Sequence, residues 1–373
     1  MNKKLVAAAL GLAFAAPVFA DASNVTLYGR IHQAVEHNTS SVDNATPSSS
    51  GNGTNIADVA SRLGVRGVED LGNGLSGIFA YEFGVDTDSV NTGATNMSTR
   101  HAYLGLKGSF GTFVIGSQDG GNDSQAPLYN QASNYALNVN NNGGQLTVVN
   151  GGDAVIARQQ RVGNAFGYAT TLGGVKVSAR HALTGTDATS GTTASAENKQ
   201  RESSIAADYT IGALTFGGGI ERRSGDNAFE SAQNASGAAG AVKTQLQFGA
   251  KYQFTGFTIA GLIGQQKYFG RRDSDTQYSI SGLVPLAANY GLQAFYANSE
   301  NGVQSSAGQV VNGTALSRET DNKQVQVSAY YDFSKRTRSY VGFNRTTRET
   351  VNTTGGLVET DDDSIVLGLR HNF

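Results

Sequence analysis

The chain has 373 residues, of which 48 are glycine and none is cysteine or tryptophan. Charged residues make up 16% of it, against ~25% in soluble domains, and glycine stands well above its usual ~7%. Without cysteine there is no disulfide framework and no thiol nucleophile. With 28 basic and 30 acidic residues, the balance also excludes a strongly basic nucleic-acid-binding protein.

The first 20 residues have the features of a secretory signal. Lys3 and Lys4 precede an apolar run over 5–16, and Pro17-Val18-Phe19-Ala20 offers small side chains at a cleavage site. The run is shorter than the ~20 apolar residues that a membrane-spanning helix needs. We therefore expect a cleaved signal peptide over 1–20 and a mature domain over 21–373.

Most of the mature chain alternates between apolar and polar residues with a period of two. At the end of the chain Ile365, Leu367 and Leu369 share one face, and Ser364, Gly368 and Arg370 share the other. The same alternation recurs over 75–86 and 175–180. This period is typical of β-strands with one apolar and one polar face, and no segment has a convincing helical period.

Short turns and long loops punctuate the strands in strict alternation. The predicted turns lie at 71–75, 108–111, 172–175, 211–213, 255–257, 289–291 and 334–336. The predicted loops, rich in Asn, Ser, Thr and Gly, cover 38–56, 87–97, 119–158, 185–200, 225–240, 271–275, 300–321 and 348–361. Together they predict sixteen strands with turns at one end and loops at the other.

This arrangement favours an all-β, transmembrane antiparallel 16-stranded β-barrel with short periplasmic turns and long external loops. A sheet that spans lipid has to close, because every backbone polar group must be paired within the protein. A soluble β-sandwich or β-solenoid is the alternative. It also alternates, but it does not normally segregate turns and loops to two ends.

Several stretches resemble the general porins of Gram-negative outer membranes, in their betaproteobacterial branch. They read VTLYGR at 25–30, SRLGVRGVEDLGNGL at 61–75, RHAYLGLKG at 100–108, FGTFVIG at 110–116 and GLRHNF at 368–373. The resemblance implies a homotrimer in the outer membrane, in contact with lipid and lipopolysaccharide, whose water-filled pore passes small hydrophilic solutes and ions. It also implies that Phe373 marks the strand read by the barrel-assembly machinery.

The loop over 119–158 is expected to fold inward and narrow the pore. A structureless segment of this length is unusual in a compact fold unless it has a function. The resemblance gives that function to the third loop of the barrel. A mobile external loop is the alternative.

Charged residues on the polar face of the strands are the candidate site, because ion preference follows the charges at the narrowest point of a pore. Arg30 and Arg62 alternate with apolar residues, and Arg100 lies on the face opposite His101 and Tyr103. By resemblance Arg30, Arg62, Arg100 and Arg161 match the basic cluster of the porin constriction. The same wall can include Arg66, Arg158 and Arg180.

Few carboxylates oppose these arginines. The loop over 119–158 contains only Asp119, Asp123 and Asp153, and its tip is an uncharged run over 134–142. The family's loop is commonly acidic, so this is a departure. We expect a passive diffusion porin that favours anions or is weakly selective. Asp361, Asp362 and Asp363 are interpreted as solvated loop charges or, less simply, ligands for divalent cations.

Other signals carry no function. Gly72-Asn73-Gly74-Leu75-Ser76-Gly77 has the spacing of a dinucleotide-binding loop but precedes a strand, so no helix N-terminus binds phosphate. The five histidines show no metal-ligand spacing, and no cofactor or metal is expected. A substrate-specific channel is the main alternative function. An outer-membrane barrel enzyme is a weaker one, because no catalytic motif surrounds His37 or His101.

Overall fold

The computed structural model describes residues 24–42, 52–87, 97–118, 127–128, 134–137, 162–185, 199–224, 242–268, 274–302, 310–311, 314–315, 319–351 and 357–373. Nineteen strand segments occupy most of this chain. They are β1 (Asn24–Val42), β2 (Gly53–Asp58), β3 (Arg62–Gly72), β4 (Leu75–Val85), β5 (Met97–Gly108), β6 (Gly111–Gln118), β7 (Val162–Leu172), β8 (Val175–Gly185), β9 (Lys199–Ile211), β10 (Leu214–Ser224), β11 (Val242–Gln253), β12 (Thr258–Tyr268), β13 (Ser274–Ala287), β14 (Tyr290–Gly302), β15 (Val310–Val311), β16 (Thr314–Ala315), β17 (Glu319–Asp332), β18 (Thr337–Val351) and β19 (Leu357–Asn372).

Seventeen of these segments form one closed antiparallel sheet. Each strand pairs with its neighbour in the sequence, and β1 closes the ring by pairing with β19 on one side and with β2 and β3 on the other. β2 and β3 are one barrel strand interrupted at 59–61, so the barrel has sixteen strands as predicted. Closure leaves no sheet edge, which is the condition for a sheet in lipid.

The interruption between β2 and β3 is a kink that the alternation did not predict. Ala60 has a φ of 62°, which breaks the extended backbone. The Ser61 Oγ accepts a hydrogen bond of 2.9 Å from the His32 N–H, and Val59 donates to the His32 carbonyl at 2.8 Å. These bonds satisfy the groups that the ladder leaves unpaired at the kink.

All seven predicted turns join neighbouring strands, and eight longer connections join the other ends. Several predicted loops are too long. β1 continues to Val42 and β2 begins at Gly53, although 38–56 was predicted as a loop. β18 and β19 likewise extend into the predicted loop 348–361. The polar residues there pair across the strands, so polarity alone did not mark the end of the sheet.

The two faces of the wall have opposite chemistry. On β13, Tyr278 and Ile280 point outward and are exposed, whereas Gln277, Ser279 and Ser281 point inward and are buried. An outward apolar face with an inward polar face is the inverse of a soluble barrel and is typical of a strand that meets lipid on one side. Within the described part of the chain, no helix is long and apolar enough to cross a membrane.

The final strand closes against the first. Gly29 and Phe373 exchange two backbone hydrogen bonds of 3.1 Å each. The Phe373 ring covers Gly29 so closely that a Cβ at this position would lie 2.3 Å from the ring. Residue 29 therefore has to be glycine for the terminal aromatic ring to pack at the seam.

Candidate functional site

Five arginines form a continuous basic arc on the inner wall. The basic arc consists of Arg338 on β18, Arg370 on β19, Arg30 on β1, Arg62 on β3 and Arg100 on β5. Neighbouring members face each other across the sheet, since Arg338 pairs with Arg370 and Arg30 pairs with Arg62. Arg62, Arg100 and Arg370 lie close enough to Arg30 to repel its charge. The arc thus concentrates positive charge on one side of the lumen.

Arg30 is half-buried on the inner wall, at the seam between β1 and β19. Its Nε donates a hydrogen bond of 2.9 Å to the Asn372 side chain, which orients the group along the wall. Arg62 lies 3.9 Å from Glu82. The structure therefore brings Arg30 and Arg62 together as their positions on the first two barrel strands predict.

Arg100 enters the arc by a route that the sequence prediction missed. The alternation predicts Arg100 on the face opposite His101 and Tyr103, and this prediction is wrong. The pairing of β4 with β5 shifts by one residue between Glu82/His101 and Phe83/Thr99, leaving Arg100 as the extra residue of a β-bulge. A bulge turns two consecutive side chains toward one side. Arg100 and His101 are accordingly both buried on the lumen wall.

The side chains of the bulge, Arg100 and His101, both lie close to the carboxylate of Glu82. Its Oε1 accepts a hydrogen bond of 2.6 Å from Arg100 Nε and lies 3.9 Å from His101 Nε2. Its Oε2 lies 3.9 Å from Arg62 Nε.

Arg338 and Arg370 are members of the arc that were not predicted. The alternation puts Arg370 on the polar face of the last strand, and this position could have identified it as a residue of the lumen. Arg338 follows a short turn, and only the pairing of β18 with β19 brings it to the arc. Asp332 holds Arg338 through two hydrogen bonds of 2.6 and 2.8 Å, and the guanidinium stacks over the Tyr330 ring at 4.2 Å.

Arg66 lies beside the arc rather than in it. Its guanidinium is 5.1 Å from the centre of the Tyr28 ring, and Tyr28 in turn covers Gly64. An arginine over a tyrosine face gains a cation–π attraction. Arg66 therefore extends the basic surface of β3 toward the short-turn end.

Arg180 does not join the basic wall, which corrects the prediction for that residue. It lies on β8 and donates a hydrogen bond of 2.7 Å to Glu202 while lying 3.6 Å from Glu221. Arg223 contacts the same two carboxylates, at 3.1 and 3.9 Å. These four side chains make a balanced ionic cluster on β8, β9 and β10.

Residues 134–137, here called the inward segment, lie inside the barrel roughly opposite the basic arc. The Tyr135 hydroxyl donates a hydrogen bond of 2.5 Å to Asp208. The Leu137 N–H donates to Ser281 Oγ at 3.0 Å, and the Leu137 carbonyl accepts from Gln293 Nε2 at 3.1 Å. Tyr135 and Ala136 also pack into a buried apolar cluster; its other members are Leu262, Phe295 and Ala297. The described part of the third loop, residues 134–137, therefore lies inside the barrel, as predicted for that loop.

Glycines make room for this contact. A Cβ at Gly249 would lie 2.3 Å from the Tyr135 ring. A Cβ at Gly217 would lie 2.3 Å from the Asp208 carboxylate that Tyr135 binds. The glycine-rich strands thus place small residues where the inward segment meets the wall.

Some predicted residues lie outside the described chain. These are Arg158 and Arg161 of the basic wall, the loop carboxylates Asp119, Asp123 and Asp153, and the signal peptide over 1–20.

The acidic run before the end of the chain, Asp361 to Asp363, lies within β19. Arg345 binds Asp363 with two hydrogen bonds of 2.6 Å, and Arg348 pairs with Asp362. The run is part of a cross-strand ionic network.

The histidines lie apart. His37 bonds to Thr54, His181 to Ser203 and His371 to Thr337, each at 2.8 Å. Across the part of the chain that the structure covers, no group of three metal-binding side chains comes together.

These features define a transmembrane β-barrel with a charged lumen and an inward-folded loop. The chain belongs to the Gram-negative porin family, whose model matches residues 6–350. This membership places the protein in the outer membrane. Among curated relatives, the major outer membrane protein P.IB of Neisseria gonorrhoeae is 38% identical over 140 residues, which cover 36% of this chain and 35% of that protein. The P.IB protein of Neisseria meningitidis serogroup B is 40% identical over 117 residues, covering 31% and 33%.

The chain thus spans about a third of the length of the curated relatives it matches. Solved structures extend the likeness to the whole barrel. An anion-selective porin from Comamonas acidovorans has a TM-score of 0.64 at 18% identity, with 94% of this chain and 100% of that chain covered. Salmonella typhi OmpF in complex with daunomycin has a TM-score of 0.67 at 14% identity, covering 95% and 99%. At these identities the likeness shows the fold.

Proposed function

We propose that this barrel is a general diffusion porin through which ions and small hydrophilic solutes pass down their gradients. The observation that carries the proposal is the basic arc opposite the inward segment, in a lumen lined by polar side chains. The arc has five arginines against two carboxylates, Glu82 and Asp332. A positive wall beside a narrowed passage attracts anions and repels cations, so the pore favours anions or is weakly selective.

No catalytic step is needed for this function. The apolar outer face holds the barrel in lipid, and the polar inner face supports a column of water. Arg30 and its neighbours lower the energy of an anion where the passage is narrowest, but hydrated lumen residues keep the attraction weak enough for release. Transport is therefore passive, and the protein is not an enzyme.

The remaining parts of the proposal follow from family membership. Arg158 and Arg161 extend the basic wall, and Asp119, Asp123 and Asp153 face it from the loop over 119–158. The chain is exported by a signal peptide over 1–20 and is inserted by the barrel-assembly machinery, which reads Phe373. It assembles as a homotrimer in contact with lipopolysaccharide. OmpT of Vibrio cholerae, which shares the fold at a TM-score of 0.60, is described in a trimer form.

Planar-bilayer recording tests the function directly. The purified mature protein is added to a bilayer in potassium chloride, and stepwise current increases in groups of three are expected. A salt gradient on the same membrane then gives the sign of selectivity from the reversal potential. Folded protein that gives no steps contradicts the diffusion pore, and strong cation preference contradicts the role of the basic arc.

A channel with a preferred anionic solute is the second candidate. The density of the basic arc favours it, because several guanidiniums on adjacent strands can hold one multivalent anion. Titration of inorganic phosphate into a chloride-bathed bilayer distinguishes the two. Saturable block of the current at millimolar phosphate indicates a solute-binding channel, whereas a linear response indicates general diffusion.

A further inference from the structure

We propose that Glu82 sets the selectivity and steadiness of this pore through two separable effects. Its charge reduces the positive field of the basic arc, and its hydrogen bond holds Arg100 against the wall. The inference rests on the proposed conduction, and it adds a residue that governs how the pore conducts.

Glu82 is placed to act on several cations at once. It is 4% exposed and lies on β4 between the strands that carry Arg62 and Arg100. One carboxylate oxygen bonds Arg100 at 2.6 Å, and the other faces Arg62 at 3.9 Å. A single buried carboxylate thus bridges the arginines of two strands that are not neighbours.

The β-bulge makes such a bridge necessary. Regular pairing would direct Arg100 to the outer face, where lipid makes a guanidinium costly. The extra residue turns Arg100 and His101 inward together. Two large side chains therefore lie on the inner face where regular pairing would put one. The charge-assisted bond to Glu82 fixes Arg100 along the wall. Without it, Arg100 loses the charge-assisted bond that orients its guanidinium along the wall.

The two effects have different electrical signatures. Removing the charge of Glu82 strengthens the positive field over the whole arc, which changes the ratio of chloride to potassium permeability. Removing the tether lets Arg100 move in the ion path, which changes the mean current and its fluctuation. A change in selectivity at a steady current therefore indicates that the charge of Glu82 matters. Added open-channel noise indicates that Arg100 has moved from its position on the wall.

Three substitutions separate these effects in single-channel recordings. Glu82→Gln keeps an oxygen that accepts from Arg100 but removes the charge, and should raise the chloride to potassium permeability ratio about twofold with a steady current. Glu82→Ala removes both and should add open-channel noise to the same shift. Glu82→Asp keeps the charge on a shorter side chain, so it should add noise at the wild-type ratio.

Glu69→Gln is the matched control, because Glu69 lies near the short turn after β3, away from the arc, and the substitution removes the same charge. It should leave both readouts unchanged. Equal permeability ratios in wild type and Glu82→Gln overturn the charge effect, and equal noise in wild type, Glu82→Ala and Glu82→Asp overturns the tether. Absence of channel steps in the wild-type protein would instead contradict conduction itself.

Discussion

The Tyr135 hydroxyl donates a hydrogen bond of 2.5 Å to Oδ1 of Asp208, joining the inward segment to β9. Two further bonds hold the Leu137 peptide on β13 and β14, so the segment is attached to the wall at three places. Hydrogen bonds to charged groups are stronger than those between neutral groups. The Tyr135–Asp208 bond is therefore expected to be the strongest of the three attachments.

Tyr135→Phe removes this bond and leaves the ring in place. The loss should weaken the attachment by about 2 kcal/mol and leave a half-buried carboxylate with one donor fewer. We expect larger current fluctuations in single-channel recordings, with conducting steps retained. Tyr331→Phe is the control, because Tyr331 is exposed on the outer face. Equal fluctuations in both variants would show that Tyr135 does not fix the inward segment.

Gly249→Leu should displace the inward segment toward the arc. A Cβ at this position already lies 2.3 Å from the Tyr135 ring, so a larger side chain cannot be accommodated without movement. Overpacking of this kind costs about 1–3 kcal/mol. We expect lower single-channel conductance. At Gly282 the nearest atom to an added Cβ is 3.9 Å away, so Gly282→Leu on the outer face should conduct like the wild type.

The period of two predicted the barrel, since lipid outside and water inside impose opposite chemistry on alternate residues. The same alternation predicted Arg30 and Arg62 as lumen residues. It failed at Arg100, because a bulge shifts the phase by one residue and leaves no mark in composition. It also did not reveal Glu82, whose role depends on β4 lying between β3 and β5. Tyr135 was missed because its partners lie on β9 to β14, far away in the sequence.

Arg30→Gln should reduce the preference for anions without closing the pore. The substitution removes one positive charge from the basic arc, and Gln at this position still reaches Asn372. A unit charge acting over about 10 Å of water changes the permeability ratio about twofold. The reversal potential in a potassium chloride gradient measures it. Arg222 lies on the outer face of β10, so Arg222→Gln is the control and should leave that potential unchanged. A shift as large as that of Arg30→Gln would mean that the net charge of the whole barrel, and not the basic arc, sets the selectivity.

Arg180→Met should destabilise the barrel more than it changes conduction. Arg180 is 3% exposed, and its Nη2 atom contacts both Glu202 and Glu221. Removing one partner of a buried ionic cluster costs about 3–5 kcal/mol, because the remaining charges stay buried without full compensation. Urea unfolding in detergent, followed by the mobility shift of the folded barrel on a gel, should give a lower midpoint. Arg201→Met is the control, since Arg201 is exposed on the neighbouring strand, and its midpoint should equal that of the wild type. A midpoint for Arg180→Met that matches this control would mean that Arg223 alone balances both carboxylates.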